Sequence, residues 1–196
     1  MMQMTSLAVF CGSSSGYHPA YAATARQLAE VLARRNIRLV YGAGSVGLMG
    51  ILADEVLRLG GRVLGVIPQF LVDKEVGHTG LTELIVTKSM HERKLIMAEN
   101  ADAFLALPGG IGTLEELIEV YTWTQLGIHQ KACGLLNTRG YYDHLIALLQ
   151  HMNRERFFRA EHLHQLRVES EAEKVVTALF QEAPVPTAPA RRRPEL

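Results

Sequence analysis

Three short stretches of the 196-residue chain are built so that backbone can approach a ligand closely: Cys11-Gly-Ser-Ser-Ser-Gly16, Gly42-Ala-Gly-Ser-Val-Gly-Leu-Met-Gly50 and Pro108-Gly-Gly-Ile-Gly-Thr113. Each follows a short apolar run and leads into a helical pattern. In an open parallel sheet that is where ligands bind, beyond the carboxyl ends of the strands. Free N–H groups at the next helix start attract an anion. One such loop is accounted for by a tight turn. Three on one sheet edge point to a nucleotide or sugar-phosphate site, with Gly12, Ser13, Gly42, Gly44, Gly109, Gly110, Ile111, Gly112 and Thr113 as candidate binding positions.

Charged side chains gather at two helix starts. Ser89-Met-His-Glu92 and Thr113-Leu-Glu-Glu116 both match the capping box, so helices are predicted to begin at residues 90 and 114. The first carries Arg93 and Lys94 in its opening turns, with Met90 and Met97 on the same face. Cations are electrostatically misplaced there, and a bound anion would offset the cost. The second carries Glu115 and Glu116, followed by Glu119, Thr122 and Trp123. These glutamates have two readings: complements to the helix dipole, Glu116 closing the box on Thr113, or functional carboxylates.

Other chemistries find less support. The second loop contains GxGxxG at Gly42, Gly44 and Gly47, but the next strand ends Gly65-Val-Ile-Pro-Gln69, without the carboxylate that a dinucleotide site needs. No loop ends in the Gly-Lys-Ser/Thr of a P-loop. Ser13, Ser14 and Ser15 lack the GxSxG elbow, and the histidines show no HExxH or other metal spacing.

The elements that must hold these residues are readable from alternation. Short apolar runs at 6–11, 37–41, 62–67, 84–87, 103–107 and 132–136 read as strands buried on both faces. Helical spacing fills 19–35, 46–59, 90–99, 114–126, 142–157 and 171–180, with a short seventh strand at 164–168. The expected fold is α/β, a doubly wound, Rossmann-like parallel sheet of six to seven strands flanked by helices. Residues 1–182 are expected to form one domain, and 183–196, with four prolines and Arg191-Arg-Arg193, a disordered tail.

Composition sets bounds. Apolar residues make up 48% and charged residues 20%, the profile of an ordinary globular domain. Twenty basic residues balance twenty acidic ones, which argues against nucleic-acid or membrane binding by bulk charge. The first charged residue is Arg26 and no apolar run approaches a membrane span, so a cytoplasmic protein is expected. Cys11 and Cys133 lie in apolar runs and are expected to be buried thiols.

Taken together, Pro108-Gly-Gly-Ile-Gly-Thr-Leu-Glu-Glu116 resembles the PGGxGTxxE motif of the LOG family, cytokinin riboside 5′-monophosphate phosphoribohydrolases formerly labelled lysine decarboxylases. Supporting segments are Cys11-Gly-Ser-Ser14, Tyr41-Gly-Ala-Gly-Ser-Val-Gly-Leu-Met-Gly50, Met90-His-Glu-Arg-Lys94 and Thr122-Trp-Thr-Gln-Leu-Gly-Ile-His129. The likeness spans residues 7–180, with Ala43 standing where many members have glycine. It implies hydrolysis of the N-glycosidic bond of adenosine 5′-monophosphates, either AMP or cytokinin riboside 5′-monophosphates, giving free base and ribose 5-phosphate. It implies Arg93 and Glu116 as the catalytic pair, and Glu75, Lys94, residues 110–116 including Leu114 and Glu115, and Thr122 as substrate contacts. It also implies a homodimer, with no metal and no cofactor. The rival is a non-catalytic nucleotide or molybdenum-cofactor carrier on the same fold, which would not need the Arg93–Glu116 pair. A decarboxylase would demand a pyridoxal-binding lysine, and no lysine here stands in such a context.

Overall fold

A computed structural model describes residues 5–73 and 77–181. The expected tail and Glu75 therefore lie outside the described residues. The chain alternates strands and helices in the order β1 (Ser6–Phe10), α1 (Pro19–Arg34), β2 (Arg38–Tyr41), α2 (Gly47–Arg58), β3 (Val63–Pro68), α3 (Gln69–Val72), β4 (Glu83–Thr87), α4 (Met90–Glu99), β5 (Ala103–Ala106) and α5 (Ile111–Gln125). There follow β6 (Ala132–Leu136), a 3₁₀ turn (Thr138–Gly140), α6 (Asp143–Arg154), α7 (Ala160–Leu163), β7 (Leu166–Glu169) and α8 (Ala172–Phe180).

Every strand pair is parallel, in the order β4-β3-β2-β1-β5-β6-β7. The order reverses between β1 and β5, where Leu7 pairs with both Leu39 and Ala103. At such a reversal the loops leaving neighbouring strands diverge to opposite faces and open a crevice.

The pleat explains the two cores. Leu7, Val9, Leu39, Tyr41, Ala103 and Leu105 face one layer, with α1, α2 and α8 packed on it through Leu28, Leu52 and Val176. Ala8, Phe10, Val40, Phe104 and Ala106 face the other, covered by α4, α5 and α6 through Met97, Leu117 and Leu149. Phe10 and Phe104 stack across the central strand pair, ring centroids 6.2 Å apart. Burying each such ring contributes about 1.5–3 kcal/mol.

Three expectations change. β4 is not buried on both faces: it is an edge strand, and Leu84 and Val86 are exposed. The helix after β6 starts at Asp143 rather than 142, with Tyr142 as a core-buried N-cap, and ends at Arg154 rather than 157, where Arg156 turns to φ +65°. α3, the 3₁₀ turn and α7 are single turns too short for periodicity to reveal. Cys11 and Cys133 are free and buried, as expected. No described helix is long and apolar enough to cross a membrane.

Candidate active site

Because the sheet is wholly parallel, the three glycine loops emerge on one edge, and they interlock by backbone. Gly12 N–H donates to the Pro108 carbonyl at 3.1 Å, and Leu48 N–H donates to the Gly12 carbonyl at 3.0 Å. Gly47 has φ +63°, and a Cβ there would lie 2.2 Å from the Ser13 carbonyl carbon. A Cβ on Gly109 would lie 2.1 Å from Thr113 Oγ1. These contacts need glycine for backbone proximity, independently of any ligand.

The start of α5 differs from the capping-box expectation. The helix begins at Ile111, three residues early, with Gly110 as N-cap and no side-chain cap. Thr113 is buried inside the first turn, and Glu116 lies in the second. The box cannot close, since Thr113 is no longer at the N-cap. The first-turn N–H groups therefore lack a side-chain acceptor, the arrangement that receives an anion. Cβ atoms on Gly110 or Gly112 would meet nothing within 4 Å, and Ile111 is 82% exposed, so this turn opens outward. By contrast α4 is capped: Ser89 Oγ accepts from Glu92 N–H at 3.1 Å, while the Glu92 carboxylate accepts from Lys88 N–H.

Released from capping, Glu116 meets Arg93. Oε1 of Glu116 lies 3.4 Å from Arg93 Nη2, with the two side chains 12% and 9% exposed. Gly42 makes the space, since a Cβ there would sit 1.7 Å from that Nη2. Among the described residues, Arg93 Nη1 reaches only the Met90 sulfur, at 3.6 Å, and Nε is buried with no hydrogen-bond partner. A buried cation so thinly satisfied costs several kcal/mol. A buried group carrying such a cost beside a loop cluster is a candidate for a ligand site. Burial pushes the Glu116 carboxyl above its ordinary value, an effect that the Arg93 charge opposes but does not cancel.

Lys94, one residue on, is buried and held by Glu115 Oε1 at 2.5 Å and Glu119 Oε2 at 2.9 Å. Burial works to lower its pKa, but the bonds to Glu115 and Glu119 outweigh it and keep the ammonium charged. Beside these loops lies a cavity of about 310 Å³, lined by residues 12–16, Pro108–Gly110, Leu48, Tyr21 and Tyr141. The Arg93–Glu116 pair does not line it.

A family model described as "Possible lysine decarboxylase" matches residues 49–179. Cytokinin riboside 5′-monophosphate phosphoribohydrolase LOG5 of Arabidopsis thaliana is 46% identical over 177 residues, 90% of this chain and 78% of that protein. A cytokinin riboside 5′-monophosphate phosphoribohydrolase of Rhodococcoides fascians is 50% identical over 153 residues, 78% of this chain and 77% of that protein. The chain belongs to the LOG family. Among solved structures, a molybdenum cofactor binding protein from Rippkaea orientalis superimposes with TM-score 0.68 over 91% of this chain and 96% of that one, at 21% identity. A molybdenum cofactor carrier protein from Chlamydomonas reinhardtii gives 0.69 over 91% and 98%, at 17% identity. These two share the fold.

The positions expected from the glycine loops, the helix starts and the LOG resemblance fall into groups. Arg93, Glu116, Gly42 and Met90 come together. Gly12, Ser13, Gly109 and Gly110 line the cavity. Glu115 is tied to Lys94, and Leu114 packs partly into the second core. Thr122 is exposed and donates to the Ile118 carbonyl, six residues beyond Glu116 and so about 9 Å along the helix. Gly44 packs on Met49 rather than facing open space. Tyr21, Leu48 and Tyr141 also wall the cavity, positions to which no loop motif points. The one hint was Gly140-Tyr-Tyr142, aromatic residues just past a strand's carboxyl end.

Proposed function

We propose that this LOG-family chain is a hydrolase that cleaves the N-glycosidic bond of adenosine 5′-monophosphates, AMP or N6-substituted cytokinin forms, to free base and ribose 5-phosphate. The observation carrying this reading is the buried Arg93–Glu116 pair beside an uncapped helix start. The names of its relatives, phosphoribohydrolases at 46–50% identity, support it.

The 5′-phosphate binds the first-turn N–H groups of α5. Glu116 lies five residues past Ile111, about 7.5 Å along the axis, comparable with the reach of a ribose from its phosphate to its anomeric carbon. As the C1′–N9 bond breaks, positive charge develops on the ribose, as in other oxocarbenium-like glycoside cleavages. The Glu116 carboxylate stabilises that charge and takes a proton from the water that forms the new C1′–O bond. Its raised pKa suits it as a base. The electron pair of the broken bond leaves with the purine, where Arg93 stabilises it by charge and hydrogen bonding before the base takes up a proton. Arg93 acts by charge and hydrogen bonding rather than by giving up a proton, because a guanidinium carries donors only and does not act as an acid in proteins. A Schiff-base lysine would have to shed its proton, whereas Lys94 is held charged by two carboxylates, so the decarboxylase chemistry lacks support.

The test is product analysis. Incubation with AMP and with N6-isopentenyladenosine monophosphate, followed by chromatography, should release free base and ribose 5-phosphate in equal amounts. Binding without release would favour a carrier.

A further inference from the structure

The three carbonyls that precede the α5 start each accept a hydrogen bond from a different donor. Leu107 accepts from Tyr142 Oη at 2.5 Å, Pro108 from Gly12 N–H at 3.1 Å, and Gly109 from Tyr141 Oη at 2.5 Å. The two tyrosines differ in setting. Tyr142 is buried in the core, whereas Tyr141 is 43% exposed and forms a wall of the 310 Å³ cavity. Tyr141 stands edge-on to Tyr21 at 5.8 Å and to Tyr142 at 5.0 Å. Tyr21 in turn packs under Gly16, whose absent Cβ would lie 2.8 Å from its ring. An aromatic chain thus links the β1–α1 loop to the β5–α5 loop.

In a planar trans peptide the carbonyl and the following N–H point in opposite directions. Holding the Gly109 oxygen therefore fixes the Gly110 N–H. With glycine on both sides of that peptide, little else restrains its rotation. We propose that Tyr141 is a positioning residue for the 5′-phosphate: its hydroxyl locks the Gly109–Gly110 peptide so that Gly110 N–H stands in one orientation beside the first-turn N–H groups of α5. This rests on the phosphate-dependent hydrolase reading above.

The test is Tyr141→Phe, which keeps the ring contacts and removes only the hydroxyl. Steady-state kinetics with the favoured monophosphate and its parent nucleoside, plus inhibition by inorganic phosphate, separate the outcomes. KM for the monophosphate should rise about threefold to about tenfold, the effect of one lost hydrogen bond, with kcat unchanged. Inhibition by inorganic phosphate should weaken by a similar factor, and cleavage of the nucleoside should not change. An unaltered KM and phosphate inhibition, in a wild type that prefers monophosphates, overturns the role of Tyr141 alone. An equal loss on monophosphate and nucleoside overturns it too, by showing a general structural defect. A wild type that cleaves both without preferring monophosphates overturns the phosphate dependence of the proposed function, and this proposal with it.

Discussion

Glu116 sits in an environment unfavourable to its charge, which the proposed reaction would use. Burial raises its pKa above the ordinary 4.5, so the folded protein binds this proton more readily than the unfolded chain does. Stability is therefore lost as pH rises through 4.5 and stays reduced above the group's own folded pKa. Glu116→Gln removes the ionised form, so its melting temperature at neutral pH should equal or exceed that of the wild type. The gap should close below pH 4.5, as calorimetry across pH would show. Turnover should fall roughly 100-fold or more, because a transition-state charge contact is gone, with KM little altered. In the wild type, kcat/KM should fall on acidification with a midpoint above 4.5, since the carboxylate of the free enzyme is the active form. Full activity of Glu116→Gln would refute the assigned role.

The glycines of the loops serve distinct elements, and substitution separates them. At Gly42 an added Cβ meets the far end of Arg93, which can swing away. Gly42→Ala should fold normally yet lose roughly 100-fold in turnover, as expected for a displaced catalytic group. At Gly47 the Cβ would meet the Ser13–Ser14 backbone, and φ is +63°. Gly47→Ala should lower stability by roughly 2–4 kcal/mol, measurable by denaturant unfolding. The loops themselves were legible in the sequence because strand-then-glycine runs survive in any parallel sheet. The start of α5 was not: Thr113-Leu-Glu-Glu116 fits a capping box, but Gly109 must pass against Gly12 and Thr113, and that tertiary contact begins the helix at Ile111. Ala43 shows the same limit. It reads as a mild change from glycine, yet it adopts φ +57°, the left-handed region, and is fully buried. Tyr141 escaped notice because its role arises from a hydrogen bond to Gly109, 32 residues away in sequence.

Over the whole molecule, the fold order followed from alternation alone, while burial at the edges did not, since sequence does not say which strand ends a sheet. The described surface carries Leu95 on α4, Ile118 on α5, and Leu126 and Ile128 just beyond, all exposed. Their burial between two copies would make a dimer, and light scattering should then give about twice the 21.7 kDa chain mass. An active monomer would contradict that assembly. The central claim joins the uncapped start of α5 to the Arg93–Glu116 pair: a phosphate held at one end places the ribose at the other. It is tested most directly by comparing kcat/KM of the wild-type protein for AMP and for adenosine, which differ only in that phosphate. The account predicts far faster release of adenine from AMP; equal values for the two substrates would contradict it.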